Sequence, residues 1–240
     1  MSSIKVLYED NHIIAVVKPA GMLAQGDKSG DVSLYDEVKK YLKEKYKKPG
    51  NVFLGLVHRL DKPVQGIVLF GKTSKGASRL SEQFRQHTIQ KTYHGIVLGE
   101  LAEKRGELKE KVNKISFFAE GFTNKTDEEL LEEIKKATKT RTAELSWEVV
   151  RVSKPFDTAQ GKSVYTLLKI LPKTGRFHQI RIQMANMGHP ILGDIKYSNQ
   201  KPLPDRSIAL AATSITFKLA TSDEVKTVSI PLPKDWEKHL

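Results

Sequence analysis

Residues 56–73 read Leu56-Val57-His58-Arg59-Leu60-Asp61-Lys62-Pro63-Val64-Gln65-Gly66-Ile67-Val68-Leu69-Phe70-Gly71-Lys72-Thr73. Two architectures compete for this stretch. The spacing from Gly66 to Gly71-Lys72-Thr73 is that of a phosphate-binding loop, which would put the chain among nucleotide-binding α/β folds. A phosphate cradle needs the residues between its glycines in a loop whose N–H groups converge on an anion. Ile67-Val68-Leu69-Phe70 is instead a β-forming run suited to a buried strand. No strand leads into Gly66 either, because Asp61-Lys62-Pro63 intervenes. Nucleotide hydrolysis is therefore set aside, and residues 66–70 are read as a core strand entered from a charged turn.

Working outward, residues 52–57 read as the strand before that turn. Ser74 is placed as the cap of a helix running to about His87, with Ala77, Leu80 and Phe84 facing inward. Upstream, residues 4–8 and 12–18 form a strand pair across Glu9-Asp10-Asn11, ended by Pro19-Ala20-Gly21. Ser33 caps a helix with the apolar stripe Leu34, Val38, Tyr41 and Leu42, and Pro49-Gly50 stops it. Its other face is rich in lysine, from Lys39 to Lys48. Downstream, residues 89–98, 164–171, 208–219 and 225–230 are strand-like, and Ala143, Leu145, Trp147 and Val149 alternate along a half-buried strand. His178 to Met187 can form a helix stopped by Gly188. A surface insertion is read at about residues 101–140, with a helix in it that has capping-box spacing from Thr126 to Glu129. Strands and helices do not alternate regularly. The expected architecture is one α/β (α+β) domain over residues 1–240, with a central mixed, mainly antiparallel sheet flanked by helices.

Composition narrows the function. The 240 residues hold 40 Lys+Arg against 28 Asp+Glu, a formal net charge of +12 that favours a polyanionic partner. No apolar run is long enough to span a bilayer, and the first residues lack the apolar core of a secretory signal. A cytoplasmic protein without a membrane partner is expected. With no cysteine there can be no disulfide, thiolate metal site or cysteine nucleophile. His58, His87, His94, His178 and His189 show no paired ligand spacing, so no metal is expected. A Gly-x-Ser-x-Gly elbow is absent as well.

Two segments stand out from this background. An arginine and an aspartate flank Leu60 on the turn between two strands, which makes a compact charged site on a rigid frame. The other is Thr174-Gly175-Arg176-Phe177-His178-Gln179-Ile180-Arg181, where a glycine turn opens a helix bearing arginines, a natural anion site.

These segments bring a resemblance with them. His58-Arg59-Leu60-Asp61 followed by Gly66 resembles the catalytic loop of the RluA family of pseudouridine synthases. Lys18-Pro19-Ala20-Gly21, Lys91-Thr92-Tyr93, Gly175 to Arg181, and Gly188-His189-Pro190-Ile191-Leu192-Gly193-Asp194 are similar to four further motifs of that family, in family order. The resemblance implies a stand-alone catalytic domain without an S4-type RNA-binding domain, isomerising uridine to pseudouridine in structured ribosomal or transfer RNA. It implies no cofactor, no nucleotide and no metal; a monomer is expected.

It also implies residue roles. Asp61 would be the essential aspartate, acting on the ribose anomeric carbon or on its neighbouring proton. Arg181 would pair with it and lower its pKa by stabilising the charged form. Tyr93 would pack on the uracil and take part in removing the carbon-5 proton. Arg59 would fill the space left by the flipped base and offset lost stacking. His58, Lys18, Arg176, His178 and Gln179 complete the expected uridine- and RNA-binding set. Val64-Gln65 stands where the family usually has Thr-Ser, and Ile182-Gln183-Met184 where it often has Val-His-Leu. The first departure is the one feature that favours an alternative, a catalytically silent RNA-binding or ribosome assembly factor.

Overall fold

Alternating apolar residues on two adjacent strands show how the sheet divides its core. In the computed structural model, which describes residues 4–28, 30–112, 141–158 and 161–240, β1 (Lys5–Glu9) and β2 (Ile13–Lys18) form a hairpin. Its turn is held by Asp10, whose carboxylate accepts from the His12 and Ile13 N–H groups, both at 2.7 Å. Ile14 and Val16 point to one face of the sheet, Ile13 and Ala15 to the other, and all four are fully buried. The neighbouring β4 (Gln65–Gly71) repeats the pattern, with Val68 and Phe70 on the first face and Ile67 and Leu69 on the second. A strand buried on both faces reads as a continuous apolar run, which is why this segment mimics a phosphate loop only in its spacing.

The remaining strands among the described residues are β3 (Gly55–Leu56), β5 (Gln90–Leu98), β6 (Arg105–Val112), β7 (Arg141–Val152), β8 (Phe156–Thr158), β9 (Gly161–Ser163), β10 (Tyr165–Pro172), β11 (Leu210–Lys218) and β12 (Val225–Ser229). The main sheet runs β1-β2-β4-β11-β5-β10-β7-β6, with β12 on β11 and β3 on β4, while β8 and β9 make a separate hairpin. Among the described residues the named strands pair antiparallel except for β4 and β11, which run parallel where Gln65 meets Ala211 and Gly66 meets Ala212. At that junction Gly66 has φ +135°, and any side chain there would collide with the Ala212 backbone. Only glycine fits both demands.

Among the described residues, three α-helices cover the sheet. α1 (Leu34–Lys45) starts with a full capping box between Ser33 and Asp36, and buries Leu34, Val38 and Leu42 on the first face. α3 (Gln179–Asn186) packs on the same face further along, through Ile180 and Met184. α2 (Ser74–Arg85) covers the second face with Leu80. A 3₁₀ helix (Lys234–His239) places Trp236 against Ile96, Leu167, Ala209 and Ala211.

Several local expectations need correcting. Thr73, not Ser74, caps α2, accepting from the Gly76 N–H at 3.1 Å, and the helix ends at Arg85. The expected strand over residues 52–57 is reduced to β3, because Val52 and Leu54 are buried by loop packing against α1 rather than by strand pairing. Residues 105–112 of the expected insertion are β6, paired along its length with β7. The helix expected near Thr126 lies outside the described residues.

Lys72 closes the phosphate-loop question. Its ammonium donates to Glu9 at 2.6 Å, to the Asp10 carbonyl at 2.6 Å and to the Tyr46 hydroxyl at 3.0 Å. Burial works against an ionised Glu9, yet donors from Lys45, Lys72, Tyr46 and Tyr41 outweigh it and hold the carboxyl down at about 2. The lysine that would bind a phosphate is spent on tying β1 to β4 and α1.

Candidate active site

The turn between β3 and β4 is anchored from behind. His58 Nε2 accepts from the Leu69 N–H at 2.9 Å, and its ring lies 4.7 Å from that of Phe84. Burial, helped by the charge of Lys91, drives His58 down to about 3, so the ring is neutral and serves as an acceptor. Lys18 is fully buried, and its ammonium donates to the carbonyls of Pro19, Met22 and Lys62 at 3.0, 2.7 and 3.1 Å. Burial lowers its pKa to about 8 even though the Asp61 charge opposes the shift. Lys18, expected to contact RNA, has its ammonium turned onto the backbone of this turn. With three carbonyls filling its three donors, it clamps the turn. The Asp61 carbonyl accepts from the Val64 N–H at 3.0 Å, and Val64 and Leu60 bury their side chains in the core beneath. Valine at position 64 is thus a packing residue.

α3 supplies the other wall. Six consecutive residues, Gln179 to Met184, are buried, so this helix has no polar face to advertise its orientation. Gln179 accepts from Thr174 Oγ1 at 2.7 Å and from the Arg176 N–H at 3.0 Å, and donates to the Glu144 carbonyl at 3.0 Å. Expected as an RNA ligand, this residue has its amide engaged in shaping the turn before the helix. Arg176 lines the cleft and donates through Nε to the Thr142 carbonyl at 3.0 Å.

Arg181 is 5% exposed and makes two short bonds to Asp194, Nε to Oδ2 at 2.6 Å and Nη2 to Oδ1 at 2.8 Å. Its Nη1 reaches Asp61 Oδ2 only at 3.4 Å. The expected pairing with Asp61 is present but is the weaker of two. Asp194 is the functional neighbour that sequence reasoning passed over, although it ends the quoted Gly188 to Asp194 motif. The Asp61 side chain keeps 27% of its surface open to the cleft, and His178 Nε2 stands 3.5 Å from its Oδ2. Its pKa departs from expectation in direction. Burial raises it, and the attraction of Arg181 and Arg59 does not fully offset that penalty.

Tyr93, on β5, lines the same cleft, and burial together with the Asp61 charge pushes its hydroxyl above the ordinary tyrosine value. The Arg59 side chain is exposed on the cleft wall beside Asp61. Lys91 adds a cation that the site assignment omitted: its ammonium donates to the Thr174 carbonyl at 3.3 Å, and burial lowers it to about 8. The cleft measures about 630 Å³ and runs from Arg85 and His87 at the end of α2, past Asp61 and Tyr93, to Arg176 and Phe177. A separate groove of about 410 Å³ on β6, β7 and β10 is lined by Arg105, Glu107, Glu148 and Lys169. Among the described residues no group of His, Asp or Glu could hold a metal ion.

A cleft of this kind offers a partly shielded carboxylate, a cation behind it, an aromatic wall and basic groups along its length. That suits chemistry on one nucleotide of a polyanion. Comparison with known proteins agrees. The sequence pattern of the RNA pseudouridylate synthase family matches residues 12–186. The tRNA pseudouridine synthase C of Haemophilus ducreyi is 32% identical over 247 residues, covering 97% of this chain and 92% of that protein. The ribosomal large subunit pseudouridine synthase C of Buchnera aphidicola is 31% identical over 243 residues, covering 98% and 69%. The solved structure of human RNA pseudouridylate synthase domain containing 4 shares the fold, with a TM-score of 0.72 at 20% identity over 97% of this chain and 90% of that one. Since the family match takes in the Asp61 turn, β5 and the start of α3 together, the chain belongs to the RNA pseudouridylate synthases of the RluA type, isomerases that convert uridine in RNA to pseudouridine.

Proposed function

We propose that Asp61 is the catalytic carboxylate and that the substrate is a uridine in structured transfer or ribosomal RNA. The observation that carries this reading is Asp61 itself, a carboxylate open to a basic cleft and held by Arg181 at only 3.4 Å. The isomerisation breaks the bond from uracil N1 to the ribose and forms one from carbon 5. N1 gains a proton and carbon 5 loses one, so nothing is oxidised or consumed and no cofactor is required. Asp61 can begin by attacking the anomeric carbon or by removing the adjacent ribose proton, and both routes need it ionised. Tyr93 lies against the cleft as the platform for the uracil. Arg59 is the side chain suited to replacing the flipped base in the stack. Arg176, Lys91 and Arg85 supply phosphate contacts along the cleft.

Relatives are named for transfer RNA and for ribosomal RNA, which is why both classes are proposed as targets. Monomeric action in the cytoplasm, where such RNA resides, completes the reading. No described helix is long and apolar enough to cross a membrane. The silent-binder alternative gains no support, because Asp61 is present and Val64 packs into the core without disturbing the turn. The test is pseudouridine mapping in cells with and without the protein, and with Asp61→Ala in its place. Sites lost on deletion should stay lost with Asp61→Ala; equal modification by that variant refutes the assignment.

A further inference from the structure

α3 begins on an unusual backbone. His178 adopts φ 48°, ψ 26°, a left-handed conformation that a residue with a side chain enters at some energetic cost. That conformation puts its imidazole between two partners from distant segments. Nδ1 lies 2.6 Å from the Tyr197 hydroxyl, and Nε2 faces Asp61 Oδ2 at 3.5 Å. The ring is held on its faces too. Phe177 stacks on it at 3.8 Å between centroids, and Arg181 Nη1 lies 3.4 Å from both ring nitrogens. Tyr197 is 5% exposed, packs with Val112, Ala143 and Ile182, and carries the Arg181 guanidinium 5.0 Å above its ring.

We infer that Tyr197 is a positioning residue for Asp61: its hydroxyl donates to His178 Nδ1, which orients the ring so that the Nε2–H points at the reacting carboxylate. This rests on the reading of Asp61 as the catalytic group. A neutral imidazole has one N–H, so a donor on Nδ1 leaves that hydrogen on Nε2. Burial and the nearby Arg181 charge keep the ring neutral, with a pKa of about 3. Burial pushes Tyr197 to about 12, so its hydroxyl keeps the proton to donate. The groups that act on Asp61 are Arg181 and His178 from α3, Arg59 from its own turn, Tyr93 from β5, Lys18 from β2, and Asp194 and Tyr197 from the segment after α3. Of these, His178 is the one whose donor depends on a further hydroxyl. The distance of 3.5 Å needs to shorten by only a few tenths of an ångström, on closing around RNA, to become a hydrogen bond.

The test uses Tyr197→Phe, which keeps the buried ring and removes the hydroxyl alone, with bulk RNA from cells lacking the protein as substrate. Loss of one donor on Asp61 should lower kcat about three- to tenfold. KM should be unchanged, and the acid limb of kcat should move to higher pH because Asp61 becomes easier to protonate. In His178→Gln the side-chain amide presents a donor near the Nε2 position without help from Tyr197, so adding Tyr197→Phe there should cause no further loss. The inference is overturned if Tyr197→Phe leaves kcat and the acid limb where they were, or if its effect is equal in both backgrounds. A lower Tm with an unmoved acid limb would also overturn it, since Tyr197 would then be structural only. Asp61→Asn separates the two claims. If that variant stays active, the reading of Asp61 fails; if it is dead while Tyr197→Phe behaves as wild type, only the Tyr197 inference fails.

Discussion

Two turns deliver an aspartate to the same guanidinium, and they do it differently. The turn after α3 brings Asp194, 1% exposed, to Arg181 through two bonds of 2.6 and 2.8 Å. The turn between β3 and β4 brings Asp61, its side chain 27% exposed, to 3.4 Å from the remaining nitrogen. The first arrangement is the bidentate geometry that arginine and carboxylate favour, and it fixes the guanidinium plane. The second leaves most of the carboxylate's hydrogen-bonding capacity unspent. An aspartate that must react cannot also be the one that holds the arginine, so the work is divided between two residues from opposite ends of the site.

The division can be broken most directly at Asp61. Asp61→Asn should reduce pseudouridine formation to background while leaving Tm equal or raised. The sign follows from the raised pKa. A buried carboxyl whose folded pKa exceeds its unfolded one destabilises the fold when ionised, so removing its charge relieves strain at neutral pH. A marked fall in Tm would show that Asp61 is a structural anchor after all.

Asp194→Asn should do the reverse in stability. Breaking a buried ion pair from one side costs about 3–5 kcal/mol. Activity should fall with it, because Arg181, released, can turn its full charge on Asp61. Thermal melting beside single-turnover rates would separate the two losses, and an unchanged Tm would break the comparison.

pH offers a milder probe. Asp61 must be ionised to act and its pKa lies above the ordinary aspartate value, so kcat should decline on acidification earlier than an exposed carboxylate would dictate. A pH–rate profile flat down to the normal aspartate range would contradict this. The smallest effect is expected at Lys91, which touches neither aspartate. With its pKa near 8, RNA affinity should weaken as pH rises through that value, and Lys91→Arg should remove the dependence while kcat stays the same. Binding titrations at pH 7 and pH 9 would check it.

Much of the fold was legible because its signals are local. Alternation in residues 143–149, the Ser33 cap and the apolar run of β4 each declare an element within a few positions. The motif positions Asp61, Tyr93 and Arg181 meet in one cleft as their spacing could not have shown but their company suggested. Lys18 and Gln179 have partners that the sequence could not show, for a common reason. A polar residue inside a binding motif looks like a ligand contact until the carbonyls that absorb it, Met22 and Lys62 for one and Glu144 for the other, are brought in by the fold. The same holds for Asp194, whose partner lies on a different element, and for the Asp61 pKa, where burial competes with charge and no pattern of residue types tells which prevails.

The parallel contact of Gly66 with Ala212 has a consequence for how the molecule comes into being. β11, late in the chain, is inserted between β4 and β5, which are made early. A nascent chain that has not yet emitted residues 210–218 therefore carries two unsatisfied strand borders facing each other across a gap, and unpaired borders of this kind invite pairing with other chains. The cleft beside Asp61 also gains Leu210 only with that strand, and the interval before it arrives is when the chain is most exposed to misassembly.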